Sequence, residues 1–131
     1  MSDTPKSATE LKGKSGLTRL INAARYSKDG FAAAFKSEEA FRQESILALI
    51  LVVVLPFIPA ELSLKVLAFM SLVFVMVTEL LNSGIEAAID RIGPEIHPLS
   101  KYAKDVGSCA VLFSLICAAV VWLVLLFDAF A

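Results

Sequence analysis

The sequence ELLNSGIEAAIDR, residues Glu79–Arg91, closes an apolar run that begins at Val66. On a continuous helix with 100° per residue, four polar side chains of this stretch fall within one narrow stripe. This polar stripe consists of Glu79, Asn82, Glu86 and Asp90. Carboxylates that adjoin a membrane-grade apolar run are energetically costly, so by default they indicate a functional site. A helix that leaves the membrane would explain Asp90, but two leucines follow Glu79 and favour the functional interpretation.

Composition places the chain among integral membrane proteins. Its 131 residues suffice for one domain, 57% of them are hydrophobic, and the mean hydropathy is +0.74. The charged residues cluster outside the apolar runs. This composition predicts an all-α integral membrane fold. The net charge is −1 and basic runs are absent from the sequence, so nothing indicates a nucleic-acid partner.

An amphipathic segment precedes the apolar runs. Residues Met1–Ser15 are rich in Ser, Thr, Lys and Glu, which predicts a flexible tail, and residues 16–131 are expected to form the membrane domain. Apolar and basic residues between about 17 and 35 recur at helical spacing. This pattern predicts a helix that lies in the membrane interface without crossing it.

Three apolar segments are predicted to cross the membrane, at about 38–58, 62–91 and 103–130. The Ser37-Glu38-Glu39 stretch is typical of a capped helix start, and Gly93-Pro94 is expected to stop the second span. Eight of the twelve Lys and Arg residues precede the first apolar run, and three more, Arg91, Lys101 and Lys104, lie at or between the neighbouring ends of the second and third spans. The positive-inside rule therefore predicts a cytoplasmic N-terminus and an external C-terminus.

The predicted topology brings acids from different helices to the cytoplasmic side. Glu38 and Glu86 share a similar depth, which suits Mg²⁺ because this ion takes one or two carboxylates together with phosphate oxygens. Arg19 and Lys104 can neutralise phosphate charge. Glu79 lies about 10 Å deeper than Glu86, where a partly desolvated carboxylate suits a general base acting on a lipid hydroxyl. One subunit cannot easily shield the stripe, so a homo-oligomer with a site shared between chains is expected.

The common nucleotide-binding motifs, GxxxxGK[ST], GxGxxG and the HRD/DFG pair, do not occur in the sequence. The residues alone therefore indicate a small membrane protein with an acidic site on the cytoplasmic side.

Four segments carry a resemblance to a known family. They are GLTRLINAARYSKDG (Gly16–Gly30), AFRQE (Ala40–Glu44), ELLNSGIEAAIDRIG (Glu79–Gly93) and AKDVGSCAVL (Ala103–Leu112). With its E-x2-N-x3-E-x3-D pattern followed by AKD, the sequence resembles the prokaryotic diacylglycerol kinase family from Gly16 to the third span. The resemblance implies a homotrimer of three-span subunits in the bacterial inner membrane. It also implies ATP- and Mg²⁺-dependent phosphorylation of diacylglycerol to phosphatidic acid.

The same resemblance implies roles for individual residues. Glu79 would be the catalytic general base, and Glu38 and Glu86 would hold the metal with the ATP phosphates. Residues implied to contact nucleotide are Arg19, Tyr26, Glu38, Glu86, Glu95, His97, Lys104 and Asp105. Residues implied to contact or border the lipid substrate are Arg19, Ala40, Glu44, Glu79, Asn82 and Ser108.

Structural roles are the alternatives for several of these side chains. Glu44 could form an ion pair with Arg42 or with a neighbouring chain. His97 could be an ordinary loop residue, and Tyr26 could be an anchor in the membrane interface. Asp90 and its neighbour Arg91 could belong to a solvated helix end.

Three other functions remain open on the sequence. Undecaprenol kinase, a sister activity on a similar scaffold, would differ in the lipid acceptor. A small ion-coupled transporter would require polar residues deep in other spans, yet the third span has none between Ser114 and Phe127. A scaffold subunit without activity would leave the aligned acids unexplained.

Overall fold

The computed structural model describes residues 16–131, and within that range the chain is helical without any strand. The helices are α1 (Gly16–Ser37), α2 (Glu39–Val54), α3 (Leu62–Ile92) and α4 (Pro98–Phe130). A short 3₁₀ turn, Leu55–Phe57, follows α2. The prediction of an all-α fold is therefore confirmed. The predicted tail, Met1–Ser15, lies outside the described residues.

Three helical segments of the described chain are long and apolar enough to cross a membrane: Glu39–Phe57, Leu62–Ile92 and Pro98–Phe130. This confirms the prediction of three transmembrane helices. Most of their large apolar side chains are exposed in the single chain. Such exposure is expected where a helix faces lipid or another copy of the protein.

Glu38 separates α1 from α2 with an extended backbone, at φ −118° and ψ 112°. The predicted Ser37 cap is wrong, because α1 continues through Ser37 and Glu38 takes the cap position without a side-chain capping bond. Arg42 instead satisfies carbonyls at the end of α1. Its Nε donates to Phe35 O and its Nη2 donates to Lys36 O, both at 3.0 Å. The Glu38 carboxylate is consequently available for a contact with α3.

A buried apolar cluster holds the turn between α2 and α3 against α4. Its buried members are Leu55, Ile58, Ala68 and Leu125. Lys65 Nζ donates to Pro56 O at 3.1 Å, which satisfies a carbonyl of the 3₁₀ turn. This cluster closes the end of the helices that lies opposite the polar stripe.

α3 and α4 run antiparallel and make most of the contacts between helices in the described chain. The Glu61 backbone N–H donates to Asp128 Oδ2 at 3.1 Å, and Thr78 Oγ1 lies 2.8 Å from Ser114 Oγ. Ser114 and Gly107 are buried on α4. Small residues at such positions let two membrane helices approach closely. The α3–α4 pair is therefore the frame that carries the polar stripe.

The segment Gly93–His97 connects α3 to α4 at what we call the loop end of the pair. Gly93 ends α3 at φ 148°, a backbone conformation that residues with a side chain rarely adopt. α4 begins at Pro98, earlier than the predicted third span. The reason is that His97 Nδ1 accepts a hydrogen bond from the Leu99 N–H at 3.1 Å, and proline suits the first helical position.

Candidate functional site

The side chain of Glu38 connects the start of α2 to α3. Ser83 Oγ donates to Glu38 Oε2 at 2.8 Å in a partly buried contact. Ser83 lies one helical turn from both Glu79 and Glu86, so this bond brings Glu38 to the polar stripe. Sequence analysis did not single out Ser83, because its partner is 45 residues away along the chain.

The polar stripe of α3 is partly buried along most of its length. Glu79, Asn82 and Glu86 are half-buried, whereas Asp90 is exposed. Asn82 Nδ2 donates to Glu86 Oε1 at 3.3 Å, as expected for residues four apart on a helix. The carboxyl groups of Glu38, Glu44 and Glu86 all lie close enough to Glu79 to interact with it electrostatically.

Glu44 contributes a second acid from α2, beside Glu79. Its Oε2 atom is buried, and its side chain interacts with that of Glu79. Arg42 is not its partner, since the guanidinium bonds backbone carbonyls instead. Glu44 also lines a hollow of about 200 Å³ that is formed by α2, α3 and α4. The other side chains that line this hollow, Trp122 among them, are apolar. A carboxylate at the mouth of an apolar groove suits an amphiphilic ligand.

These acids come together within a single chain. Glu38 and Glu44 are supplied by the start of α2, and Glu79 and Glu86 by α3. One chain therefore brings Glu38 to the stretch of α3 that carries Glu79, and the expected contribution of a second chain to the site stays a prediction. The Ser83 contact returns the α1–α2 junction to α3.

The arrangement offers two carboxylates for a divalent cation and not a complete protein cage. Among residues 16–131 no group of three or more His, Cys, Asp or Glu side chains is placed so that it could hold a metal ion by itself. One oxygen of Glu38 is held by Ser83, and one oxygen of Glu86 is held by Asn82. Hydrogen bonds of this kind orient metal-binding carboxylates. The donor set fits Mg²⁺ when phosphate oxygens supply the remaining ligands.

A second hollow of about 280 Å³ opens at the loop end of α3 and α4. Four residues predicted to contact nucleotide line it, together with Asp90: they are Glu95, His97, Lys104 and Asp105. Lys104 Nζ donates to Asp90 Oδ1 at 2.6 Å and lies close to Glu86, so Lys104 links the hollow to the polar stripe. Asp105 forms an ion pair with Lys101 on the same helix.

The other predicted residues lie on exposed helical surfaces. Arg19 and Tyr26 are on α1, in a compact unit that ends at Ala33. Ala40 is exposed in the first turn of α2, and Ser108 is exposed on α4. Their functional roles stay predictions.

The sequence analysis did not predict two contacts between α3 and α4. Thr78 and Ser114 form a hydrogen bond inside the apolar part of the pair, and Asn82 lies against Gly107. A hydroxyl within each span and a glycine inside the third span were the available signals. Neither signal identifies its partner without the register between the helices.

The fold and the site together define a small helical membrane protein with clustered acids near one end of its spans. A family model described as prokaryotic diacylglycerol kinase matches residues 25–126 of this chain. The chain is 47% identical over 115 residues to the diacylglycerol kinase of Escherichia coli, with 88% of this chain and 94% of the relative covered. It is 42% identical over 120 residues to the diacylglycerol kinase of Pseudomonas aeruginosa, with 92% and 98% covered.

The diacylglycerol kinase of Helicobacter pylori is 43% identical over 107 residues, with 82% of this chain and 84% of the relative covered. The chain therefore belongs to the prokaryotic diacylglycerol kinase family, and it is an enzyme of the kinase class. Both the resemblance drawn from the four sequence segments and the prediction of an enzyme are confirmed.

Proposed function

We propose that this protein transfers the γ-phosphoryl group of ATP to the hydroxyl of diacylglycerol and releases phosphatidic acid and ADP. The observation that carries the proposal is the meeting of Glu38, Glu44, Glu79 and Glu86 beside an apolar groove. The names of the relatives supply the acceptor lipid. We place the reaction at the cytoplasmic face of the bacterial inner membrane, with the N-terminus inside, on the distribution of Lys and Arg.

Glu79 is the proposed general base. It accepts the hydroxyl proton as the lipid oxygen forms a bond to the γ-phosphorus, and the bond from that phosphorus to the bridging oxygen of ADP breaks. Support comes from its place in the span, beside Glu44 and the apolar groove where a lipid hydroxyl would enter. Phosphoryl transfer depends mainly on positioning and charge neutralisation, with a base that orients the nucleophile.

Glu38 and Glu86 are the proposed ligands of Mg²⁺, together with ATP phosphate oxygens. When bound, the cation would neutralise phosphate charge during transfer. Ser83 and Asn82 support this role because each holds one of the two carboxylates by a hydrogen bond. The proposal needs only two protein ligands, which agrees with the way Mg²⁺ is usually bound beside nucleotides.

The hollow at the loop end is the proposed nucleotide site. Lys104 supplies positive charge between Asp90 and Glu86, and the neighbouring loop and helix supply the other lining groups. His97 uses Nδ1 to cap α4, so its contribution to the nucleotide would come from the rest of the ring. Arg19 and Tyr26 are also proposed to contact the nucleotide. On the lipid side, Ala40, Asn82 and Ser108 are proposed to border the acceptor with Glu44.

A homotrimer is the proposed assembly. Its support is the large share of apolar side chains that stay exposed on the described helices of one chain. Part of that surface faces lipid, and part is available to other copies.

The decisive experiment presents diacylglycerol and undecaprenol to the purified protein in separate lipid mixtures with γ-labelled ATP. We expect label to appear in phosphatidic acid, only with Mg²⁺ present, and faster than in undecaprenyl phosphate. A preference for undecaprenol would overturn the acceptor while leaving kinase chemistry in place. The names of the relatives do not favour undecaprenol, and membership of a kinase family does not favour transport.

A further inference from the structure

Gly107 of α4 lies directly against the side chain of Asn82 on α3. A Cβ atom added at Gly107 would stand 2.3 Å from Asn82 Oδ1 and 3.3 Å from its Cγ. By contrast, a Cβ atom added at Gly84 meets nothing within 4 Å. The space that a side chain at position 107 would occupy is thus filled by the amide of Asn82.

The Asn82 amide has one productive orientation in this space. Its Nδ2 faces the Glu86 carboxylate and donates to Oε1 at 3.3 Å. Its Oδ1 is buried against Gly107 and has no hydrogen-bond partner among the described residues. The opposite orientation would set the amide oxygen against a carboxylate, with no donor between them. At such close range, the Cα–H groups of a glycine are the groups best able to donate a weak hydrogen bond to Oδ1.

We propose that Gly107 is a positioning residue, whose missing side chain lets Asn82 enter between α3 and α4 and hold the Glu86 carboxylate. This inference rests on the proposed function, in which Glu86 binds Mg²⁺ with the ATP phosphates. A methyl group at position 107 would have to push Asn82 Oδ1 by about 1 Å to reach ordinary contact. Misplacement of about 1 Å in a catalytic constellation can lower a rate about 10²-fold.

A general packing role for Gly107 makes a different prediction. Small residues often serve to bring two membrane helices together. Here, however, the atoms nearest to the added Cβ belong to side chains, Asn82 first and then Ile85 Cδ1 at 3.6 Å, and not to the α3 backbone. The added methyl therefore displaces the amide before it separates the helices.

The first test is spectroscopic and does not depend on activity. The sequence contains two asparagines, Asn22 and Asn82, so ¹⁵N-asparagine labelling yields two side-chain amide signals. An Asn22→Ala variant assigns them. We expect Gly107→Ala to move the Asn82 signal and to leave that of Asn22 in place, in the lipid-embedded protein. An unchanged Asn82 signal would overturn the proposal.

The second test is a double-mutant cycle between positions 107 and 82. We expect Gly107→Ala to lower turnover by roughly 10- to 100-fold and to raise the Mg²⁺ concentration needed for half-maximal rate. In an Asn82→Ala background the same substitution should change turnover by less than about twofold, because no amide remains to be displaced. The matched control, Gly84→Ala, adds a methyl to the facing helix in open space and should stay near normal.

The outcomes separate the alternatives. Equal losses from Gly107→Ala in both backgrounds would assign Gly107 to packing and refute the positioning role. If the Gly107→Ala variant fails to assemble, the double variant with Asn82→Ala should assemble, because the added methyl clashes with the Asn82 amide. Failure of the double variant to assemble would also refute the positioning role. If the unmodified protein does not phosphorylate diacylglycerol, the proposed function fails, and the asparagine signals still decide the role of Gly107.

Discussion

Replacing Glu79 by Gln tests the proposed base most directly, because the change keeps the shape of the side chain and removes its charge and basicity. Loss of a general base typically lowers a rate by about 10² to 10⁴, equivalent to about 3 to 5 kcal/mol of activation free energy. We expect turnover of Glu79→Gln to fall within that range. ATP binding should change little, because the hollow that we propose as the nucleotide site lies at the loop end and Glu79 does not line it.

The structure also predicts the effect of Glu79→Gln on stability. The acids Glu38, Glu44 and Glu86 lie close enough to Glu79 to interact with it electrostatically, and all four side chains are partly buried. A neutral amide removes repulsion among these groups, so resistance to unfolding should be unchanged or higher. If Glu79 served only packing or assembly, the variant should instead destabilise the oligomer and spare the turnover of assembled protein.

The assay combines single-turnover transfer from γ-labelled ATP, nucleotide titration and detergent-resistant assembly on the same preparation. Glu39→Gln is the matched control, because Glu39 is an exposed acid of α2 outside the polar stripe. It should retain normal turnover. A folded, ATP-binding Glu79→Gln oligomer with near-normal turnover would refute the reasoning.

Four further predictions concern metal, nucleotide, subunit sharing and packing. Glu38→Gln and Glu86→Gln should each impair Mg²⁺ use while assembly is retained, and normal rates of both variants at limiting Mg²⁺ would exclude the metal assignment. Lys104→Gln should raise KM for ATP by roughly tenfold, whereas Lys65→Gln at the opposite end should not; equal KM values would remove Lys104 from the nucleotide site. Oligomers mixed from Glu79→Gln and Glu38→Gln subunits should recover little activity, because both acids lie in one chain, and strong recovery in verified mixtures would show a shared site. Thr78→Val should weaken the α3–α4 pair by about 0.6 kcal/mol without lowering turnover, as measured by unfolding in mixed micelles, and a loss of turnover in stable protein would contradict a purely structural bond.

Local patterns in the sequence determined the helical, membrane-spanning character of the chain and most of its helix ends. The three helical segments are long and apolar enough to span a bilayer. Gly93 and Pro94 end the second segment by local backbone preferences, which do not depend on the rest of the fold. The alignment of Glu79, Asn82 and Glu86 on one face followed from helical geometry alone. The start of α4 was misjudged, because the capping bond from His97 to Leu99 depends on the conformation of the loop.

Tertiary structure decided which side chains from different helices meet. Ser83 forms a hydrogen bond with Glu38, and Thr78 forms one with Ser114. Gly107 leaves the space that the Asn82 side chain occupies. These pairs depend on how far α3 slides along α4 and on where the α1–α2 junction returns to α3. Helical periodicity identifies the face on which a residue lies, but the position along that face at which a neighbour meets it is set by the packing of small and buried residues between the helices.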